Sequence, residues 1–182
     1  MNIIDDDCSK ETFHLVHPDE TYHDEIDNYR KVFMKKHSSM DGTSFLDEYE
    51  DISVWIALQN KLQEGKDIPE GMVSSDEYLY VRESDHKVTG MLNIRHKLNE
   101  YLSLYGGHIG YSVLPSERRR GIATRMLKDA LPLCKNLGMD KILITCDKGN
   151  EGSRKVILHN GGFYEGDIVY QNVIIERYWI YL

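Results

Sequence analysis

Three consecutive arginines, Arg118 to Arg120, stand directly before Gly121 and an amphipathic segment in the run S-E-R-R-R-G-I-A-T-R-M-L. A helix that begins here offers backbone N–H groups without intrahelical partners, together with the positive end of its dipole. Glycine leaves the backbone open to a ligand, and guanidinium groups match phosphate oxygens. The pattern therefore predicts a site for a pyrophosphate-like anion. The alternative is that the arginines only solvate the start of a helix.

Two common phosphate-binding motifs are absent from the sequence. Neither G-x-x-x-x-G-K-[ST] nor a G-x-G-x-x-G that follows a strand occurs. A P-loop and a standard dinucleotide fingerprint are therefore excluded. The histidines and cysteines show no metal-ligand spacing, so no metal is predicted, and the absence of G-x-S-x-G gives a serine hydrolase little support.

Hydrophobic periodicity predicts the elements that position these arginines. The second half of the chain alternates strands and helices, which indicates an α/β arrangement with a mixed sheet. Pro132 lies inside the third helix and should kink it. The predicted helices are 18–37, 52–64, 119–137 and 150–160, and the predicted strands are 77–83, 88–95, 106–113, 141–147, 165–170 and 174–181.

Length and composition are those of one globular domain: 182 residues, 41% apolar and 29% charged. No apolar run approaches the roughly 18 residues that a membrane span needs. The first ten residues carry acid where a signal peptide carries base. Cys8, Cys134 and Cys146 form neither a C-x-x-C pair nor a disulfide framework, so we expect reduced thiols in a cytoplasmic protein.

Negative charge is concentrated in the N-terminal part of the chain. The net charge is −8, and residues 1–51 hold 14 of the 30 acids but only 5 of the 22 bases. This distribution favours a cationic partner, although a solvated helix surface explains it as well. Nucleic-acid binding through Arg118–Arg120 is disfavoured, because no long basic stripe accompanies these residues.

The run R-R-R-G-I-A, from Arg118 to Ala123, resembles the [QR]-x-x-G-x-[GA] motif of the GCN5-related N-acetyltransferases, the GNAT superfamily. It follows a strand that ends in V-x-P and opens a long helix, as in that family. The resemblance continues through I-L-I-T-C-D, the N-x-x-S run from Asn150 to Ser153 and G-G-F at 161–163, and covers about residues 77–170. The runs R-H-K-L-N, G-G-H-I-G-Y-S-V and P-S-E-R-R-R-G are similar to a bacterial branch of predicted acetyltransferases.

The resemblance implies an α/β fold with a mixed, mostly antiparallel central sheet, helices on both faces and a splayed parallel strand pair. It implies one acyl-CoA N-acyltransferase domain over residues 1–182. Within it, residues 1–76 form an acidic, mainly helical part on the acceptor side, and residues 77–182 form the sheet and the acetyl-CoA-binding core.

The resemblance also implies acetyl-CoA as the acyl donor. The pyrophosphate would lie on the backbone of residues 118–124, and the pantetheine arm would lie along residues 111–113, where two strands separate. Asn150 and Ser153 would touch the arm from the opposite side, although both also suit the start of a helix as capping residues. The predicted acetyl-CoA set is Tyr111, Ser112, Val113, Arg118, Arg119, Arg120, Gly121, Ile122, Ala123, Thr124, Asn150 and Ser153.

Acetyl transfer to an amine requires a proton acceptor, stabilisation of the tetrahedral oxyanion and departure of a thiolate. The resemblance suggests a backbone N–H near Val113 for the oxyanion. The family's usual tyrosine acid is replaced by Ile157. The thiolate could take its proton from Tyr164, from another nearby tyrosine or from water, or it could leave unprotonated. His108 is the candidate base because its ordinary pKa lies near neutrality, and the alternative is a structural histidine among glycines.

Residues at the end of the second hairpin strand stand beside the presumed acceptor channel. Arg95, His96 and Asn99 could hold a carboxylate or amide of the acceptor, and solvation of an exposed strand end is the alternative.

These observations together predict direct transfer of an acetyl group from acetyl-CoA to a primary amine of a small molecule or peptide. The acids around Asp24–Asp27 favour a cationic acceptor. The alternative, kept open by Ile157, is a non-catalytic acyl-CoA-binding sensor or partner module. No nucleic acid and no membrane are expected as partners. The aromatic C-terminal strands suit a monomer core and a homodimer interface alike.

Overall fold

The computed structural model describes residues 11–182, in which seven strands form two antiparallel sheets. The first ten residues, including Cys8, lie outside this range. The strands are β1 (Phe13–Val16), β2 (Ser75–Arg82), β3 (Val88–Arg95), β4 (Ile109–Val113), β5 (Lys141–Asp147), β6 (Phe163–Tyr170) and β7 (Val173–Tyr181). The first sheet has the order β1-β2-β3-β4 and the second the order β5-β7-β6. Every neighbouring pair runs antiparallel.

Four α-helices pack against these sheets: α1 (His23–Lys36), α2 (Ile52–Glu64), α3 (Ile122–Asn136) and α4 (Glu151–His159). The predicted bounds of α2 are confirmed. Asp51 accepts the Ser53 N–H at the start of α2, and Gly65 ends it in the left-handed conformation. The predicted start of α3 at residue 119 was wrong, because Arg119 and Gly121 both have positive φ values, 65° and 76°, that a right-handed helix does not accommodate.

Further details of the chain differ from the prediction. The helix α3 continues through Pro132 without a break. The strand β1 was missed, because four residues are too short for a clear alternating pattern, so the N-terminal part is not purely helical. Residues 106–108 do not belong to β4. Instead, Leu102–Gly106 form a π-helical turn that precedes it.

Two apolar cores lie on opposite faces of the first sheet. Side chains alternate along a strand, so Tyr80 and Leu92 join the core under α3, whereas Leu79 and Met91 join the core under α1 and α2. All residues of β2 are therefore buried. This arrangement confirms the α/β fold with helices on both faces. Cys134 and Cys146 are buried free thiols.

The two sheets meet where β4 begins. The His108 N–H donates to the Leu143 carbonyl of β5 at 2.7 Å. Gly107, with φ 66°, allows this approach, since a Cβ there would lie 2.5 Å from the same carbonyl oxygen. Within residues 11–182, β4 and β5 are not paired as neighbours in either sheet, and both line one large cavity. In the same range, no helix combines the length and apolar character needed to cross a membrane.

Candidate active site

A cavity of about 1550 Å³ extends along β4 and the end of β5. Its wall also includes the loop before α3, the start of α4, the connection between α1 and α2, and the π-helical turn. The structure places twelve of the residues predicted from the sequence in this wall. They are Arg95, Tyr111, Ser112, Val113, Arg118, Arg119, Gly121, Ile122, Ala123, Thr124, Asn150 and Ser153. The predicted residues Asn99, His108 and Arg120 are not among those that line the cavity.

The loop before α3 forms one end of the cavity. Gly121 is the N-cap of α3, and a Cβ there would meet no atom within 4 Å, so the space beside the backbone is open. The first turn of α3 leaves N–H groups without intrahelical partners. Arg118 donates from Nε to the Val113 carbonyl at 3.1 Å, and its guanidinium lies 5.7 Å from the centre of the Phe33 ring. The loop is thereby attached to β4 and can present backbone donors to a diphosphate.

Arg120 supports this loop from the side away from the cavity. Its Nη1 donates to Glu117 Oε2 at 2.6 Å, and its Nη2 lies 3.5 Å from Glu11. Glu117, only 4% exposed, also pairs with Arg82 at 3.0 Å and with Lys87 at 2.9 Å. Burial opposes ionisation of Glu117, but the hydrogen bonds from Lys87 and Arg82 outweigh it and hold its pKa below the ordinary value. Arg120 is therefore not a lining residue, and its predicted contact with acetyl-CoA stays a prediction.

Two hydroxyl groups in the cavity wall, those of Tyr111 and Ser153, are hydrogen-bonded to each other. Asn150 caps α4 by accepting the Ser153 N–H at 3.0 Å, which confirms the capping role expected as an alternative. The Ser153 and Tyr111 hydroxyl oxygens lie 2.8 Å apart. Burial raises the pKa of Tyr111, so its hydroxyl keeps its proton at neutral pH. This hydrogen-bonded pair lines the cavity beside β4 and can donate a hydrogen bond into it.

Tyr164, the other tyrosine considered as the acid, does not line the cavity. The Tyr164 hydroxyl donates to Asp167 at 2.7 Å, and Tyr164 is not a lining residue. Ile157, in the position where the family has its usual tyrosine, is completely buried in the core.

A buried carboxyl group lies directly behind the part of the cavity wall that Ser44 and Asn93 form. Glu77 on β2 is 1% exposed, and its Oε2 accepts hydrogen bonds from Ser44 at 2.9 Å and Asn93 at 3.1 Å. Its Oε1 has no hydrogen-bond partner among the described residues. Burial raises the pKa of Glu77 to about 8, although the bonds from Ser44 and Asn93 oppose the rise.

Glu77 was missed in the sequence, although a signal existed. It is an acid in a strand whose following residues, Y-L-Y-V, indicate burial. Ser44 and Asn93 themselves line the cavity, so the carboxyl group is reached through the Ser44 hydroxyl.

His108, the candidate base from the sequence, instead forms hydrogen bonds that join the two sheets. Its Nδ1 accepts the Leu143 N–H at 2.9 Å, and burial lowers its pKa. The imidazole is therefore neutral, and one of its nitrogens is already used to join the two sheets. The structural alternative is favoured for His108 by this geometry.

The side chains predicted to bind the acceptor, Arg95 and Asn99, form hydrogen bonds with the backbone of nearby turns. Arg95 lines the cavity, but its Nη1 donates to the carbonyls of Gly106 and Gly107 at 2.8 and 3.1 Å. Asn99 accepts the Leu102 N–H at 2.9 Å and donates to the Gly71 carbonyl at 3.0 Å. Both side chains therefore have backbone partners before any acceptor arrives.

The acids in the cavity wall are also different from those expected. Asp27 on α1 pairs with Arg30 and Lys31, Asp24 points into solvent, and neither lines the cavity. The acidic side chains that do line it are Asp41, Asp47, Glu117, Asp147 and Glu151.

A comparison with known families identifies the class of protein. The sequence profile of the Acetyltransferase (GNAT) family matches residues 20–163. Because this match covers most of the 182 residues, the chain belongs to that family and is an acetyltransferase. No protein with a curated description matches the chain by sequence.

Solved structures share the fold over nearly the whole chain. The acetyl transferase from Salmonella typhimurium that modifies the N-terminal serine of the 50S ribosomal protein L7/L12 is 18% identical, with a TM-score of 0.65, over 94% of this chain and 95% of that one. The Salmonella typhimurium protein yncA, solved with its cofactor acetyl-CoA, is 11% identical, with a TM-score of 0.63, over 93% of each chain. RimJ from Mycobacterium smegmatis, in complex with CoA-disulfide, is 18% identical, with a TM-score of 0.66, over 93% and 81%. At these identities the likeness shows the fold alone.

Proposed function

We propose that this acetyltransferase uses acetyl-CoA and transfers the acetyl group directly to a primary amine of a small molecule or peptide. One observation carries the proposal: a single cavity is lined both by an open, arginine-flanked helix start and by Ser44, whose hydroxyl donates to the buried carboxyl group of Glu77 behind the wall. Acetyl-CoA, when bound, supplies an acetyl thioester. The residues present fit it, because Gly121 leaves room at the backbone donors and β4 exposes an edge toward the cavity.

The proton of the attacking amine has a path into the protein. The Ser44 hydroxyl donates its hydrogen to Glu77 and accepts one hydrogen bond from Asn93 at 3.1 Å, so its second lone pair can accept a proton from an amine in the cavity while its own proton passes to the carboxylate. A carboxyl group with a pKa of about 8 becomes an available base as the pH approaches and passes that value.

The remaining groups complete the transfer. As the amine nitrogen bonds to the acetyl carbon, a backbone N–H near Val113 stabilises the oxyanion, as the family resemblance suggests. The carbon–sulfur bond then breaks, and the thiolate leaves and takes its proton from solvent, while the Tyr111–Ser153 hydroxyl pair can donate a hydrogen bond to the departing sulfur. His108 takes no part in this sequence of steps.

The acceptor is sought among amines and peptides. Because one structural neighbour modifies an N-terminal serine, peptides with a free N-terminal serine belong in the assay beside small amines. Release of CoA thiol and the mass of the acetylated product would be measured together. Thiol release with a matching product mass supports the proposal. Tight binding of acetyl-CoA without turnover on any acceptor would support the non-catalytic sensor instead.

Binding of acetyl-CoA is tested with two variants on the same stretch of chain. Arg119 lines the cavity, whereas Lys128 is exposed on α3 away from it. Arg119→Ala should weaken acetyl-CoA binding in calorimetry by about 3- to 10-fold, as expected for a charge-assisted phosphate contact. Lys128→Ala removes the same charge and should leave the affinity unchanged. Equal effects of the two variants, or no heat with the wild type, would contradict the assignment.

A further inference from the structure

Three tyrosines form a contiguous group in the cavity wall. The ring centres of Tyr105 and Tyr170 lie 4.3 Å apart, and that of Tyr101 lies 5.6 and 5.7 Å from them. Tyr105 lies in the π-helical turn, Tyr101 is the residue before that turn, and Tyr170 is the last residue of β6. All three line the cavity, and Tyr101 remains 51% exposed. We call this group the tyrosine wall.

Side chains from three strands hold the backbone that carries the tyrosine wall. Arg177 on β7 donates to the carbonyls of Ser103 and Leu104, and Thr145 on β5 donates to that of Tyr105 at 2.7 Å. Arg95 on β3 binds the next two carbonyls, as described above. The carbonyls of residues 103–107 are therefore all bound by side chains. A π-helical turn is rare and frequently marks a functional site, and here its shape is fully supported.

Two carboxylates that form no ion pair among residues 11–182, those of Asp41 and Asp147, line the same cavity. Asp41 accepts a hydrogen bond from Ser39 at 3.2 Å. Desolvation raises the pKa of Asp41 and the negative charge of Asp147 adds to the rise, whereas the Ser39 hydrogen bond and the positive charge of Arg95 oppose it. A cationic group of a ligand beside the two carboxylates would be attracted by their charges.

We propose that the tyrosine wall, with Asp41 and Asp147, binds a second cationic group of the amine acceptor, one that is not itself acetylated. This inference rests on the proposed function and names the class of acceptor within it. Electron-rich ring faces attract ammonium and guanidinium groups, and neighbouring carboxylates strengthen that attraction. The preferred acceptor is then a diamine, or a peptide with a basic side chain near its free amine.

Two amines of equal length test the proposal: 1,5-diaminopentane and hexylamine. The wild type should acetylate the diamine with a KM at least about 5-fold lower, a factor expected from one cation–π contact with partial desolvation. Tyr101→Ala should raise the KM for the diamine by about that factor, with little change in kcat and little change for hexylamine. Tyr101→Phe keeps the ring and should restore most of the wild-type KM.

The control variant is Tyr181→Ala, which removes an exposed tyrosine that does not line the cavity and should change neither KM. Three results would overturn the proposal. They are equal or better use of hexylamine, an equal rise of both KM values in Tyr101→Ala, and no turnover of either amine by protein that binds acetyl-CoA and acetylates a peptide. Failure of the proposed function would differ, because acetyl-CoA binding or all amine transfer would then be missing.

Discussion

Replacing Glu77 by glutamine measures how strongly its buried carboxyl group makes the free energy of unfolding depend on pH. The pKa of Glu77 is raised from 4.5 to about 8, chiefly by burial. Between these values the native protein keeps a proton that the unfolded chain has released, so the stability of the wild type falls as the pH rises. Each factor of ten in proton affinity is worth about 1.4 kcal/mol. The wild type should therefore lose roughly 4 kcal/mol relative to Glu77→Gln between about pH 5 and about pH 9.

Urea unfolding of both proteins at a series of pH values provides the measurement, with the fluorescence of Trp55 and Trp179 as the signal. Titrations of all other groups cancel in the difference between the two free energies of unfolding. A difference that changes by less than about 1 kcal/mol over this range would refute the reasoning, since the carboxyl group would then be hydrated or stably paired.

The same variant tests the proton path. The wild-type kcat/KM should rise through a pKa near 8, and Glu77→Gln should remove that step while acetyl-CoA binding is retained. Ser44→Ala should lower kcat and shift the pKa upward, because it interrupts the path and removes a hydrogen bond that lowers the pKa of the Glu77 carboxyl group. An unchanged profile in Glu77→Gln would exclude this residue as the proton acceptor.

Three further predictions concern stability. Glu117→Gln should lower the free energy of urea unfolding by about 3 kcal/mol, because Lys87 loses its carboxylate and Arg82 and Arg120 each lose one of theirs. Since the pKa of Glu117 is depressed, the wild-type advantage should shrink as the pH falls through that pKa, and a constant difference would contradict the prediction. Gly42→Ala should cost more than about 2 kcal/mol, since its Cβ would lie 2.2 Å from the Gly110 backbone, whereas Gly65→Ala, with open space around it, should cost about 1 kcal/mol; equal costs would show that the clash is relieved. His108→Ala should lower the free energy of unfolding by about 1–2 kcal/mol through the lost Leu143 bond, and kcat of the folded variant should stay within about threefold; a much larger loss of kcat, with acetyl-CoA binding intact, would restore His108 as the base.

Local patterns in the sequence predicted most elements and one end of the site. The helix α2 and the strand β5 have the bounds that their apolar patterns and flanking Gly and Asp residues indicate. The loop that we propose for acetyl-CoA was equally accessible to prediction, because the R-R-R-G run, the strand before it and the helix after it are neighbours in sequence. Backbone donors at a helix start depend on local conformation alone.

Tertiary structure alone decided the surroundings of Glu77 and the hydrogen-bond partners of single side chains. Glu77 receives its hydrogen bond from Ser44, 33 residues away, and Tyr111 meets Ser153 at a separation of 42 residues. Arg120 faces Glu117 and Glu11 instead of the cavity, and His108 meets Leu143 of another sheet. Residue type and spacing determine which chemistry a side chain can perform. The pKa and the partners of that side chain depend on burial and on charges brought together by folding.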